Sequence, residues 1–189
     1  MKDSIGIKGQ FKFESYKLGF LQRQFVRFLE LFNIGHFGAQ TIGRFITAFT
    51  RNYGTLLWDT GFKANTITNA SFAVFSGLAG NTGSQNPFTY LAVGTSSTAT
   101  SAGHTTLQAE IVDSGLERAS ATVSRVTTTQ TNDTLQLTKT WTATGSKAVE
   151  EIGVFNASSS GVMATRALTT TKTLVNTSQL VATYQIKFA

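Results

Sequence analysis

Cysteine is absent from this chain, proline occurs once, and charged residues make up only 14% of the sequence. The lack of cysteine excludes disulfide bonds, thiol catalysis and zinc sites built from thiolates. With Pro87 as the single proline, the turns must be made by glycine, asparagine, aspartate and serine. Because globular proteins are on average about 25% charged, much of this surface must consist of threonine, serine, asparagine and glycine. Such a surface is typical of β-rich extracellular or particle proteins that pack against copies of themselves.

Positive charge is concentrated in the first third of the chain. Residues 1–65 hold nine Lys and Arg against four Asp and Glu, a net charge of +5, whereas residues 66–189 hold seven against six, a net charge of +1. The basic residues are spread out, which favours an acidic protein surface as their partner over nucleic acid or lipid. Residues 1–9 lack the pattern of a secretion signal, and no run of 18 uncharged apolar residues predicts a membrane span. We therefore expect no specific nucleic-acid partner and no membrane contact.

Period-two alternation predicts strands near the start of the chain and throughout its second half. In the first of these strands Phe11, Phe13 and Ser15 share one face, which predicts an opening strand at an edge of a sandwich. The stretches 117–126 and 135–142 alternate in the same way and are joined by a turn, which predicts a hairpin. Further strands are predicted at 88–94, 151–156, 162–168 and 179–189. The predicted fold class is mainly β, an antiparallel, jelly-roll-like β-sandwich with an N-terminal α-helical insertion.

The predicted insertion lies between residues 18 and 54. Apolar residues recur there at three- and four-residue spacing, and a glycine-rich break divides the stretch in two, which predicts a helical hairpin. The candidate protein interface on this hairpin consists of Phe20, Phe25, Phe28, Phe32, Phe45, Phe49, Arg23 and Arg27. The apolar stripe could pack on its own domain, dock onto another subunit, or lie in a membrane interface, and Glu30 counts against the membrane. Our prediction is docking. The chain is thus divided into a first strand (1–17), a docking arm (18–54) and a sandwich domain (55–189).

One further helix is predicted within the sandwich domain, over about residues 69–79. Asn69 is placed to cap its N-terminus, and Gly80 ends it. Its apolar positions are Phe72, Ala73, Phe75, Leu78 and Ala79.

Four charged residues of the second half are candidates for structural ion pairs. Glu110, Arg118, Glu151 and Arg166 are expected to form carboxylate–guanidinium clamps that tie strand ends together. The enzymatic alternative is a hydrolase site that uses Glu110, Glu150 and Glu151. Acid–base catalysis requires a cleft and groups that orient the substrate, and no nearby cluster of aspartate and histidine suggests either. We therefore expect no enzymatic activity and no catalytic residues.

The two histidines also give little support to a chemical site. His36 and His104 are far apart in sequence and fall in different regions of the predicted fold, so a histidine metal site is not expected. No phosphate-binding fingerprint or nucleophile motif is present. The sequence therefore predicts neither a metal nor a cofactor.

A series of short motifs runs through the chain in a fixed order: FTYLAVGTSS, a small-residue loop, LQAE, an arginine-bearing strand, a threonine-rich hairpin, EEIGVFNASSSGVMATRAL and LVATYQIKF. This series resembles a family of structural proteins from tailed-bacteriophage particles. The resemblance covers 5–17 and 65–189, and its most specific piece is the EIGVFN motif that ends at Asn156, followed by Gly161 and Arg166. The helical insertion departs from the pattern of that family, in which the first strand is expected to turn straight into the second.

The resemblance implies a component of the virion, assembled in the cytoplasm of a bacterial host. We predict a tail or neck adaptor, or a fibre-attachment protein, that forms a homo-oligomer and docks onto another virion protein of the portal, neck, tail or capsid. One alternative is a head decoration protein. The other is a receptor- or glycan-binding module of the tail, with its specificity in loops 95–106 and 127–134.

Overall fold

The structure is a computed structural model that describes residues 7–17 and 55–188. These residues form eleven strands and one helix, in the order β1 (Ile7–Lys17), β2 (Thr55–Asp59), β3 (Lys63–Ala64), β4 (Thr66–Ile67), α1 (Asn69–Gly80), β5 (Tyr90–Gly94), β6 (Ala119–Ser120), β7 (Thr122–Val126), β8 (Thr134–Thr142), β9 (Lys147–Phe155), β10 (Met163–Leu174) and β11 (Ser178–Phe188). The predicted helical hairpin at 18–54 lies outside the described residues, and with it the whole candidate docking surface.

The strands form two antiparallel sheets. The front sheet has the order β2–β1–β11–β8–β7, and β3 also pairs with β1. The back sheet has the order β4–β10–β9–β5–β6. The predicted mainly β architecture with antiparallel sheets is thus confirmed.

The longest strand pairing joins β1 to β11. It runs over eleven residues, from Ile7 opposite Phe188 to Lys17 opposite Ser178. Because β1 also pairs with β2 on its other side, it is an internal strand, and the prediction that it forms an edge is wrong. Alternation in a sequence shows which face of a strand is buried, whereas the number of neighbours depends on pairing with distant segments.

Side chains from both sheets meet in one apolar core. Phe11 and Phe13 point inward from β1, and their rings meet edge to face with centroids 5.5 Å apart. Phe11 also stacks on Tyr184 of β11 at 6.2 Å. The back sheet supplies fully buried partners, which include Leu91, Val93, Ile152, Val154 and Leu174. Burial of each large apolar side chain contributes about 1.5–3 kcal/mol, so this shared core holds the two sheets face to face.

Helix α1 occupies the predicted position, and its most buried residues are Ser71, Val74 and Gly77. Of its larger apolar residues, Phe75 is partly buried and packs against the core, whereas Phe72 and Leu78 are 51% and 39% exposed. A Cβ atom at Gly77 would lie 3.0 Å from the carbonyl oxygen of Thr82, so the loop that follows α1 leaves little room for a side chain there.

The N-terminus of α1 is fixed by backbone contacts. Its N-cap residue is Thr68, without a side-chain capping bond, so the prediction of Asn69 as the cap is wrong. The Thr68 hydroxyl instead donates to the carbonyl oxygen of Met163 in the back sheet. The Asn69 amide donates to the carbonyl oxygen of Ala102 at 2.8 Å. Within the ranges that the structure describes, no helix is long and apolar enough to cross a bilayer.

The single strand predicted over 117–126 is two strands that belong to different sheets. β6 pairs with β5 in the back sheet, whereas β7 pairs with β8 in the front sheet. The chain crosses between the sheets at Ala121, whose amide donates to the carbonyl oxygen of Thr89 at 2.8 Å. The polar and apolar residues alternate without interruption at this crossing, so the pattern gave no sign of it.

Candidate functional site

A fully buried ion pair joins β9 to β10. The Arg166 Nε donates to Glu151 Oε2 at 2.6 Å, and both side chains are 0% exposed. Glu151 also accepts the backbone amide hydrogens of Gln108, at 3.2 Å, and of Ala109, at 2.8 Å. The Arg166 Nη1 donates to the carbonyl oxygen of Thr98 at 2.8 Å. The pair therefore binds a neighbouring loop at two separate points.

That loop is the 95–111 segment, which connects β5 to the turn before β6. It has almost no regular secondary structure, apart from an isolated bridge between Glu110 and Gly94. Side-chain contacts hold it to the rest of the fold, such as the 2.7 Å hydrogen bond between the hydroxyls of Thr66 and Thr100. The amide of Asn69, the first residue of α1, donates a hydrogen bond to the carbonyl oxygen of Ala102 in this segment. The segment therefore also supports α1.

Burial makes the Glu151–Arg166 pair strongly sensitive to the loss of either partner. Moving two charges out of water costs several kcal/mol per ion, and their mutual attraction and hydrogen bonds must offset this cost. Both Glu151 oxygens accept hydrogen bonds from protein groups, whereas the buried Arg166 Nη2 has no hydrogen-bond partner in the described part of the chain. The arrangement fits a structural anchor, because a dissolved substrate has no access to a carboxylate that is 0% exposed.

A second ion pair, Glu110–Arg118, lies at the end of the same segment. Two parallel hydrogen bonds join the side chains, from Arg118 Nε to Oε1 at 2.9 Å and from Nη2 to Oε2 at 2.6 Å. The guanidinium carbon lies 3.6 Å from the centre of the Phe155 ring, and Nη1 donates to the carbonyl oxygen of Ser160 at 2.7 Å. Arg118 thereby ties the segment to the turn that follows β9.

The four charged residues singled out in the sequence therefore form two separate pairs, Glu110 with Arg118 and Glu151 with Arg166. The third carboxylate of the hydrolase alternative has another partner, since Glu150 accepts a hydrogen bond from the Thr171 hydroxyl at 2.6 Å.

His104 adjoins the buried pair. Its Nδ1 accepts a hydrogen bond from the Ser101 amide at 3.3 Å and lies 3.3 Å from Arg166 Nη1. Over 7–17 and 55–188, no group of three or more histidine, aspartate or glutamate residues could hold a metal ion. His36 lies outside the described residues.

Gly94 permits the close approach of the 95–111 segment to β9. A Cβ atom at this position would lie 2.5 Å from the carbonyl oxygen of Ala109 and closer still to Glu151 Oε1. Real Cβ atoms do not tolerate such contacts with backbone atoms, so the segment could not reach Glu151 if residue 94 had a side chain.

The EIGVFN motif ends in the turn between β9 and β10. Asn156 Oδ1 accepts the amide hydrogen of Val162 at 2.7 Å, and Gly161 has a φ of +74°, a conformation that favours glycine. The most specific motif of the chain thus supplies Glu151, the turn and, in the next strand, Arg166.

The 18–54 segment connects two neighbouring strands at one end of the front sheet. Lys17 and Thr55 are cross-strand partners, and Tyr16 pairs with Leu56 next to them. The predicted interface residues Phe20, Phe25, Phe28, Phe32, Phe45, Phe49, Arg23 and Arg27 all belong to this segment, so their contacts lie outside the described residues.

A cavity at the opposite end of the front sheet was not predicted from the sequence. It has a volume of about 480 Å³ and is lined by Ile7, Lys8, Gly9, Gln10, Ala64, Asn65, Ile67, Thr128, Thr134, Gln185 and Lys187. Lys8 and Lys187 lie directly opposite each other in the pairing of β1 with β11. Among the residues that the structure describes, no aspartate or glutamate lines the cavity.

Asp133 organises the 127–134 loop beside this cavity. Its carboxylate accepts the backbone amide hydrogens of Thr128, Thr129 and Gln130 at 2.8, 2.8 and 2.9 Å. Burial acts to raise the pKa of Asp133, but these hydrogen bonds outweigh it and hold the pKa well below its usual value. The sequence places Asp133 between a threonine-rich stretch and a strand, which indicates a turn. It does not show which amides the carboxylate binds.

Comparison with known proteins identifies no relative: no family model, no curated protein and no solved structure matches the chain.

Proposed function

We propose that this protein is a structural component of a tailed-bacteriophage particle, an adaptor or fibre-attachment protein of the tail or neck. In this proposal the sandwich is a scaffold that associates with copies of itself, and the 18–54 segment docks it onto a neighbouring virion protein. This role requires the helical hairpin predicted at 18–54. It does not depend on the jelly-roll-like connectivity that the sequence predicts for the strands. The protein reaches the virion by assembly in the host cytoplasm and uses no cofactor.

One observation carries the docking role: the strands on either side of the 18–54 segment pair with each other up to Lys17 and Thr55. The β1–β2 pairing therefore needs none of the residues between them. A segment of 37 residues that this pairing does not require is suited to contact another molecule.

The composition of the segment supports the same role. It contains seven of the 15 phenylalanines of the chain, and four arginines against one glutamate. A phenylalanine-rich surface with arginines at its rim is typical of a protein interface, in which apolar burial supplies affinity and charge supplies orientation. The net positive charge favours an acidic partner surface.

The roles of the motif residues support a structural component over an enzyme. The parts of the chain that resemble virion proteins supply the two ion pairs, the close approach at Gly94 and the turn at Gly161. Each of these features fixes the position of a loop on the sandwich. A scaffold that carries load between neighbouring proteins requires loops that are fixed in this way.

The docking role is tested by the mass of two proteins in solution. In the second protein an Asn-Gly turn replaces residues 18–54, because two-residue turns of this type join neighbouring antiparallel strands. We expect a large, defined oligomer for the full chain and a smaller, folded species for the deletion. Two identical monomers would show that the segment packs on its own domain.

A pair of point variants refines this test. Phe28→Glu changes the predicted interface, and Phe72→Glu makes the same change on α1 at a side chain that is 51% exposed. We expect Phe28→Glu alone to reduce the oligomer. An equal effect of both variants would contradict a specific interface in the 18–54 segment.

The assignment to a virion is tested on particles of the virus that encodes the chain. Peptide mass spectrometry of purified particles should detect the protein at a fixed copy number, and its absence would overturn the proposal. Heads and tails separated on a density gradient distinguish the tail or neck role from the alternative of head decoration.

A further inference from the structure

We propose that the cavity beside the 127–134 loop binds an acidic sugar, that is, a saccharide that carries a carboxylate. The inference does not rest on the docking role of the 18–54 segment. It concerns the other end of the front sheet, and it assigns a ligand to residues that the proposed scaffold does not use.

The cavity and the docking segment are well separated. The cavity is lined by Ile7 at the start of β1, whereas the 18–54 segment leaves β1 at Lys17. At about 3.3 Å per residue along a strand, the two ends of β1 lie about 30 Å apart. A ligand in the cavity would therefore leave the docking end free.

Two lysines give the cavity its charge. Lys8 and Lys187 are direct cross-strand partners, and like charges in such positions destabilise a sheet. An anion between the two ammonium groups would offset this repulsion. In a chain with few charged residues, binding such an anion would give the placement of the two lysines a physical role.

No protein carboxylate supplies that anion within the described residues. Neither lysine has an acidic partner there, and Lys187 Nζ instead donates to the Thr129 hydroxyl at 2.5 Å. Asp133, in the adjacent loop, is already bonded to three backbone amides. Within the described residues, the positive charge of the cavity is therefore available to an added carboxylate.

A row of amide side chains supplies an acceptor next to this charge. The Gln10 Nε2 donates to Gln185 Oε1 at 2.6 Å, and the Gln185 Nε2 donates to Gln136 Oε1 at 2.8 Å. This direction leaves Gln10 Oε1, at the cavity, without a hydrogen-bond partner among the described residues. A sugar hydroxyl can donate to this oxygen while the sugar carboxylate accepts from the lysines. A sugar acid therefore matches both kinds of group.

Part of the remaining wall is apolar, and Asn65 in this wall is held by hydrogen bonds. Ile7, Ala64 and Ile67 line the cavity and can contact the C–H groups of a sugar ring. Asn65 is held in place, since its amide nitrogen donates to the Gly9 carbonyl oxygen at 3.2 Å and its oxygen accepts from the Tyr184 hydroxyl at 2.5 Å. A volume of about 480 Å³ lies within the usual range of small-molecule sites, and a side chain that is already held in place lowers the cost of binding.

The test compares two ligands that differ only at C6, the methyl glycosides of galacturonic acid and of galactose. Each is titrated into the full chain and followed by the amide chemical shifts of the residues that line the cavity. We expect galacturonate to bind at least about tenfold more tightly than galactoside, because charge-assisted hydrogen bonds form only to the carboxylate. Equal affinities, or no binding of either sugar, would overturn the proposal.

Variants assign the effect to the two lysines. Lys8→Gln and Lys187→Gln should each weaken galacturonate binding by about tenfold. Lys147→Gln is the matched control, because it removes the same charge from a lysine that pairs with Asp113 at 2.8 Å and does not line the cavity. An equal loss of affinity in all three variants would show that only the net charge of the protein matters.

Two further measurements separate the proposal from simpler explanations. Inorganic phosphate that binds as tightly as galacturonate would show a general anion site and would overturn the assignment to a sugar.

Thermal unfolding without ligand checks the folding of each variant. Removal of one of two like charges should raise the melting temperature of Lys8→Gln slightly at low salt, and a fall would contradict the argument from repulsion.

Discussion

The buried Glu151–Arg166 pair gives the sharpest prediction, which is that Glu151→Gln strongly destabilises the fold. The substitution keeps the shape of the side chain but removes its charge and one acceptor oxygen. It leaves the guanidinium of Arg166 buried and uncompensated, and places an amide donor against groups that also donate, namely the Arg166 Nε and the amides of Gln108 and Ala109. Loss of one partner from a buried pair costs about 3–5 kcal/mol, a large part of the 5–15 kcal/mol stability of an ordinary domain.

Two measurements check this expectation. The free energy of unfolding in urea gives the total loss, and hydrogen exchange shows where it arises. Because Glu151 accepts the amide hydrogen of Ala109 directly, exchange at Ala109 should accelerate more than exchange in the β1–β11 pairing. Glu150→Gln is the matched control. The Glu150 carboxylate accepts an exposed hydrogen bond from the Thr171 hydroxyl, so a change in the free energy of unfolding within about 0.5 kcal/mol is expected.

The reasoning is refuted if Glu151→Gln costs less than about 1 kcal/mol, or if the 95–111 segment keeps its protection from exchange. A double-mutant cycle with Arg166→Gln adds an independent check. If the two charges stabilise each other, the double variant should lose less than the sum of the single variants, with a coupling of about 0.5–3 kcal/mol.

Three further predictions concern the same loops. Arg118→Lys should cost about 1–2 kcal/mol in urea unfolding, because lysine cannot form the paired hydrogen bonds to Glu110 or stack as a plane on Phe155. Gly94→Ala should cost about 1–3 kcal/mol, since the new Cβ would collide with backbone. For Asp133, the lowered pKa in the folded state means that its contribution is complete above its ordinary value and is lost as pH falls below about 4. Urea unfolding at pH 5, 4 and 3 should therefore show a decline that Asp133→Asn reduces.

Each of these predictions has a clear contrary outcome. Arg118→Lys with unchanged stability would mean that the paired geometry at Glu110 contributes nothing. Gly94→Ala with unchanged stability would mean that the 95–111 segment can move away from β9 at no cost. An acid decline of the same steepness in Asp133→Asn would assign the pH dependence to other carboxylates, such as Asp113, whose pKa is lowered by its hydrogen bond from Lys147.

Strands such as β1 and β11 were predictable because their residues alternate between a buried face and a more exposed face. Phe11 and Phe13 alternate with polar residues, and the structure buries both completely. The helix α1 was predictable in position, since asparagine and glycine bound it, but not in orientation. Its buried Ser71 donates to the Thr68 carbonyl oxygen at 2.7 Å, so a polar residue lies inside while Phe72 is half-exposed. Hydrophobicity alone therefore does not predict which residues of α1 are buried.

The candidate sites were also only partly predictable from the sequence. Glu151 and Arg166 could be named from the sequence because charged residues are rare there, but their partners depend on the register of β9 and β10. The lysine pair at the cavity could not be found, since Lys8 and Lys187 come from opposite ends of the chain. Local patterns predict burial within an element, whereas sites between elements depend on long-range pairing.

The position of β11 has a consequence for synthesis on the ribosome. β11 lies between β1 and β8 in the front sheet, yet its residues are the last of the described chain to emerge. Until they do, β1 and β8 each present an open edge, and open edges of this length can pair with other chains. Products that stop before residue 178 should therefore aggregate, whereas the full chain closes both edges in one late step. The slow, long-range pairing of β1 with β11 is expected to limit the rate of folding.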